Sequence, residues 1–284
     1  MVAKNKGVDE NSLPLGIKLY PHIVPSSIGR WYQITSDPTH VVPSSSTIPS
    51  LGLPTQPFLL KWKIERCNGN YQSFLNLQSF ESRLGAGVHE LFERYVVGEV
   101  VDVSSNDISE YIDTEAIHVP NDGIIQLRKG FQSCVRFWEH NSPELLGVEE
   151  LAYSTRLNDD GSLALPFCGR IDIIARIDGK TWILDVKTSK TVKDVLAYQV
   201  QLNIYKMLYE DMTGMKIDGI GIIHANKTFA NAEPPKSVLN IIKYKVDEEL
   251  VWDTYKMFMR CSDFNLTHHK RNAQAPLVYG KDGV

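Results

Sequence analysis

At 284 residues, 43% hydrophobic and 23% charged, the chain can bury one substantial core and has the composition of an ordinary soluble globular protein. A formal net charge of −4 argues against a large, tight, non-specific nucleic-acid surface, but leaves room for a local basic groove beside acidic catalytic groups. No apolar run reaches the roughly 18 residues of a membrane span, and the opening MVAKNKGVDENS lacks an apolar signal core, so a cytoplasmic protein is expected.

Residues 1–28 lack periodicity and read as an arm. GRWYQI at 29–34 reads as a short strand. The Pro- and Ser-rich stretch after it predicts turns before a helix starting near Gln56 or Pro57, with Phe58, Leu59 and Trp62 on its buried side. Trp62 has two readings: core packing, or a base-stacking surface flanked by Lys61 and Lys63. From Phe80 to Val97, Leu84, Val88, Leu91, Phe92, Tyr95 and Val96 recur at helical spacing, with His89 at the edge of the stripe. Residues 98–123 are acidic and irregular, and a second helix is predicted over Ile124 to His140. Leu145 to Ser154 reads as a strand.

Two apolar, β-branched runs then flank Asp178-Gly179, the strongest short-range signal for a two-residue hairpin. With Ile177 facing Lys180, counting outward sets Asp172 opposite Asp185. Opposed carboxylates repel, so something must compensate, and a shared hard cation is the simplest candidate. Period two puts Lys187 on the face of Asp185 and sends Leu184 and Val186 to the core. A long amphipathic helix follows from Thr191 or Val192, carried by Val195, Tyr198, Leu202, Tyr205 and Tyr209. Gly219 to His224 and Ile241 to Val246 read as strands, and Asp247 to Cys261 as a closing helix N-capped by Asp247. The tail from Asn265 reads as mobile. Cys67, Cys134, Cys168 and Cys261 are widely spaced, without C-x-x-C, and read as buried free thiols.

Gly169-Arg170-Ile171-Asp172, Asp185-Val186-Lys187-Thr188 and Gln201-Leu202-Asn203-Ile204-Tyr205 resemble the G-x-x-D, D-x-K-T and Q-x-x-x-Y motifs of the PD-(D/E)XK nuclease superfamily. Within it they are most similar to the RecB-type exonuclease branch. That branch carries a His on an upstream helix after a small-residue turn, which Gly85-Ala86-Gly87-Val88-His89 resembles. Pro43 to Ile48 and Leu59 to Trp62 more loosely resemble a turn and a helix start of mitochondrial genome maintenance exonucleases and related phage RecB-like nucleases.

The resemblance implies an α/β fold: a restriction-endonuclease-like core with a central mixed β-sheet flanked by helices, and an N-terminal helical elaboration. The expected organisation is an arm at 1–28, a strand and helical region at 29–145, the nuclease core at 146–262 and a tail at 263–284, within one structural domain. The implied activity is a divalent-metal-dependent DNA exonuclease in recombination, repair or replication. Its substrate would be single-stranded DNA or DNA ends, and a helicase or recombinase a further partner. Rival readings are a structure-specific endonuclease and a non-catalytic binding relative. By resemblance, Mg²⁺ or Mn²⁺ is held by His89, Asp172, Asp185 and the Val186 carbonyl. Lys187 orients or deprotonates the water or, the favoured role, stabilises phosphate charge; Gln201 lies near the scissile phosphate, supported by Tyr205. A strand Glu joins the site, Glu149 by the E-x-x-x-Y-S pattern, with Glu150 on the opposite face as the alternative. Ser189, Lys190 and Lys193 are expected DNA contacts. Some relatives bind an iron-sulfur cluster through a tight C-terminal cysteine group, which this sequence lacks, so no cluster is expected.

Overall fold

The computed structural model describes residues 18–20, 29–34, 41–54, 61, 63–65, 71–102, 123–190, 192–227 and 236–274. Its centre is a five-stranded mixed sheet of β4 (Glu144–Tyr153), β5 (Cys168–Ile177), β6 (Lys180–Lys187), β7 (Gly219–His224) and β8 (Ile242–Tyr244), in that spatial order. Only the β6–β7 pair is parallel, because the helix α4 (Leu196–Thr213) carries the chain back between them. A separate antiparallel sheet is formed by β1 (Lys18–Tyr20), β2 (Trp31–Gln33) and β3 (Val41–Pro43).

Period-two alternation supplies both faces of the central sheet. On one, Ile183 of β6 and Ile220 and Ile222 of β7 pack with α4, with α1 (Ile48–Gly52) and with α6 (Glu248–Gln274), in a core shared with Ile204, Leu208, Val251 and Phe258. On the other, Leu184, Val186 and Ile223 face α2 (Tyr71–Val96) and α3 (Gly123–Asn141), whose Leu84, Val88, Leu91, Phe92, Leu127 and Phe137 are buried. A short helix, α5 (Lys236–Leu239), precedes β8. This is the expected α/β arrangement of a mixed sheet between helices. Among the described residues no helix is long and apolar enough to cross a membrane.

The hairpin forms at the predicted dipeptide: Asp178 and Gly179 have φ of 50° and 73°, the two left-handed residues of a type I′ turn. Its register runs from Ile177↔Lys180 to Ile173↔Leu184, as counted from the sequence. Asp247 caps α6 by accepting the Leu250 N–H at 3.1 Å.

Several boundaries differ from the sequence reading. Helix α4 starts at Leu196, not near Thr191, and Val195 precedes it rather than joining its stripe. The Tyr244 hydroxyl accepts from Val195 N and donates to the Val192 carbonyl, holding residues 192–195 in a non-helical path. Helix α2 begins at Tyr71, so Gly85-Ala86-Gly87 lies inside a helix instead of forming a turn before one. A Cβ on Gly85 would stand 3.4 Å from Thr188 Oγ1, so a small residue lets the helix pass close to the end of β6. Helix α6 continues beyond the expected end at Cys261 through Gln274. Cys134 and Cys168 are buried thiols and Cys261 is half-buried. Cys67, the helix start at 56–60, Trp62 and most of the acidic stretch 98–123 lie outside the described residues.

Candidate active site

The site is built where the hairpin strands, β4 and α2 meet. Strand β4 pairs with β5 through Val148↔Ile173 and Glu150↔Ile171, which sets Glu149 level with Asp172 after a register shift between Leu145 and Gly147. Glu149 has φ of 52°, a left-handed conformation that costs a non-glycine residue about 1 kcal/mol. Such strain within a strand is sustained where the side chain is needed in one place. Glu150 is exposed, on the other side of β4, so of the two acids only Glu149 joins the cluster.

His89 reaches the same point from α2, with Nδ1 3.3 Å from Asp172 Oδ2. One donor atom each from His89, Glu149 and Asp172 lies within 4.8 Å of the others. Asp172 Oδ2 also accepts the Val186 N–H at 2.8 Å, which fixes the carboxylate across the hairpin. Exposure falls steadily inward: the side chains of His89, Glu149, Asp172 and Asp185 are 30%, 25%, 14% and 2% accessible. The site is therefore a cleft with Asp185 at its floor.

Asp185 is not part of the close donor triplet. Its Oδ2 lies 2.5 Å from Lys187 Nζ in an ionic contact poorly directed for hydrogen bonding, and among the described residues no other donor reaches that buried oxygen. Burial pushes the Asp185 carboxyl above its ordinary range; Lys187 opposes that and Asp172 reinforces it. Burial alone would lower the Lys187 ammonium, but Asp185 and then Asp172 outweigh it, and Lys187 is held above its ordinary value. Glu149 is pushed up to about 7, first by burial and then by the negative charge of Asp172, against the opposing pull of Arg170 and His89. Arg170 Nη1 stands 3.6 Å from Glu149.

The residues present fit a divalent cation. Two carboxylates, Glu149 and Asp172, converge with one imidazole nitrogen, burial and the charge of Asp172 push Glu149 up, and below them a buried Asp185 oxygen lacks a well-directed hydrogen bond. Oxygen donors suit Mg²⁺, and an imidazole makes Mn²⁺ more acceptable than an all-oxygen set does.

Helix α4 closes the other side. Gln201 Nε2 donates to the Tyr205 hydroxyl at 2.8 Å, and both side chains are buried. Ser45 also hydrogen-bonds that hydroxyl. Burial and then the charges of Asp185 and Asp172 raise Tyr205 well above the phenol range, keeping it neutral. Gly169 permits this packing: a Cβ there would meet Tyr205 Cε1 at 2.5 Å and Ser45 Oγ at 2.7 Å. Ser45 N bonds the Cys168 carbonyl at 2.7 Å, so the Pro43–Ile48 turn is stitched to β5 beside the site.

Ser189, Lys190 and Lys193 are exposed just past β6, and Lys61 and Lys63 are exposed on a helical segment. Sequence reasoning missed Ser45, Arg170, Tyr198 and His224. Tyr198 lies three residues before Gln201 on α4, a spacing that predicts a shared face; its ring centroid is 5.2 Å from Lys187 Nζ. His224, level with Lys187 on β7, donates from Nε2 to the Ser189 carbonyl at 3.1 Å. Its burial lowers its basicity, opposed by that bond.

The model of the PD-(D/E)XK nuclease superfamily matches residues 60–257, about two thirds of the chain. The chain belongs to the PD-(D/E)XK nuclease superfamily. Its matched span contains His89, Glu149, Asp172, Asp185, Lys187, Gln201 and Tyr205. Membership makes it a nuclease by family, one for which DNA is the substrate class and divalent metal the usual cofactor. No curated protein matches the chain. It is similar to the crystal structure of SSO0001, with 14% identity over 66% of this chain and 94% of that one, at a TM-score of 0.30.

Proposed function

We propose that the chain is a divalent-metal-dependent DNA exonuclease of the RecB type, trimming single-stranded DNA or DNA ends in recombination, repair or replication. The observation that carries this reading is the convergence of His89, Glu149 and Asp172 beside the buried Asp185–Lys187 pair. His89, Glu149 and Asp172, with Asp185 and the Val186 carbonyl beside them, would hold Mg²⁺ or Mn²⁺. When bound there, the ion supplies neutralisation of phosphate charge and a more acidic water.

Lys187 presents a cation at the floor of the cleft. Because its neighbours hold the proton on, it serves the charge developing on the phosphate rather than taking a proton from water. Gln201 and Tyr205 brace the wall opposite the carboxylates. Ser189, Lys190 and Lys193, together with Lys61 and Lys63, offer contacts to the DNA backbone, and Trp62 a surface on which a base can stack. A helicase or recombinase that delivers DNA ends is the partner this role calls for.

Incubation with end-labelled single-stranded DNA, with and without Mg²⁺ or Mn²⁺, tests the reading. Metal-dependent stepwise trimming is the expected result. Internal cuts would make the protein an endonuclease, and binding without cleavage a non-catalytic relative.

A further inference from the structure

Lys187 is restrained by two contacts of different kinds. The Asp185 carboxylate takes its ammonium from one side at 2.5 Å, and the Tyr198 ring lies with its centroid 5.2 Å from the same nitrogen. An aromatic face attracts a cation, and the attraction strengthens when water is excluded, as it largely is around a lysine whose side chain is 19% accessible. The other end of Tyr198 is also engaged: its hydroxyl lies 2.8 Å from Ser189 Oγ. Ser189 is held again through its carbonyl, which accepts from His224 Nε2 at 3.1 Å.

Tyr198 therefore touches both the cation at the end of β6 and the first exposed residues beyond it. Neither contact is needed for the core. The buried interior on this side of the sheet is made by Val200, Leu202, Ile204 and Leu208, while Tyr198 packs only at its margin. A leucine there would supply similar apolar packing, with neither a π-face for the ammonium nor a hydroxyl for Ser189.

We infer that Tyr198 is a positioning residue: its ring holds the Lys187 ammonium in place, and its hydroxyl ties the Ser189–Lys190 turn to α4, so cation and turn are presented to a phosphate as one unit. The inference rests on the nuclease reading above and adds to it a residue outside the Q-x-x-x-Y motif. Because an ammonium on four rotatable bonds is poorly placed without restraint, losing the ring should cost turnover more than substrate affinity.

The test compares wild type with Tyr198→Phe and Tyr198→Leu in the full chain. Steady-state trimming of single-stranded DNA in Mn²⁺ is measured alongside urea unfolding in metal-free buffer. Tyr198→Leu is expected to lower kcat on the order of 10- to 100-fold with KM little changed. Tyr198→Phe, which keeps the ring, should restore kcat to within a few-fold of wild type. In unfolding, Tyr198→Leu should lower the urea midpoint more in the wild-type background than in a Lys187→Met background, the sign of a direct coupling. A Tyr198→Leu enzyme within twofold of wild type, or a Tyr198→Phe enzyme as slow as Tyr198→Leu, overturns the inference. If wild type shows no turnover with any divalent metal, the nuclease reading has failed, and the unfolding cycle alone decides: equal midpoint shifts in both backgrounds overturn the contact, and unequal shifts uphold it.

Discussion

The two halves of the cleft solve the problem of clustered charge differently. On the floor, Asp185 is 2% accessible and already has its counter-ion in Lys187. At the mouth, Glu149 and Asp172 converge with a partly exposed imidazole, and Arg170 stands 3.6 Å from Glu149. The floor is neutralised by the protein itself; the mouth is left with excess negative charge. A divalent ion has most to offer at the mouth, whereas the lysine below supplies a charge of fixed position.

The largest effect expected from breaking this division is on cleavage. Asp185→Asn and Lys187→Ala should each reduce DNA trimming on the order of 10³-fold while circular dichroism shows a folded protein. Near-normal turnover in either variant would remove the floor pair from the mechanism. Next comes the packing behind the cleft. Gly169→Ala forces a methyl group into Tyr205 and Ser45, and should lower unfolding free energy by about 1–3 kcal/mol by chemical denaturation. An unchanged midpoint would show that Tyr205 is free to move.

A smaller effect sharpens the contrast through pH. The Glu149 carboxyl is pushed up to about 7 in the folded protein, against about 4.3 when unfolded. The folded state thus binds a proton that the unfolded state has released. Metal-free stability should fall as pH rises from about 4 to about 7, with Asp185 contributing in the same direction. Glu149→Gln should flatten that slope, raise metal-free stability at pH 7.5 by about 1 kcal/mol and weaken the stabilisation conferred by added Mn²⁺. A slope of opposite sign in thermal scans would contradict the charge excess at the mouth. The smallest effect lies far from the cleft: Asp247→Ala removes the α6 cap and should cost about 1 kcal/mol without changing turnover.

How much of this was legible from sequence depends on the range over which each feature is determined. The hairpin is local, since Asp178 and Gly179 carry the turn and set the register out to Ile173↔Leu184; the ladder stops there, one pair short of the Asp172–Asp185 facing counted from the sequence. The Asp247 cap is local too. The start of α4 is not, because the residue that holds 192–195 out of the helix is Tyr244, distant in the chain. The turn expected at Gly85-Ala86-Gly87 came from the family resemblance and not from these residues; here they lie within α2, with Gly85 beside Thr188. The choice between Glu149 and Glu150 depended on a register shift in β4 that no periodicity announces. Ser45 could not be found from its own surroundings, since its partner Tyr205 lies on another element and Gly169 makes room for both.

The central claim is that a divalent ion binds at the mouth of the cleft. Anomalous diffraction from a crystal of the protein soaked in Mn²⁺ tests it most directly. The account predicts a peak among His89, Glu149 and Asp172 in wild type and its loss in Asp172→Asn. A wild-type crystal with no peak there, or with its manganese elsewhere, would contradict it.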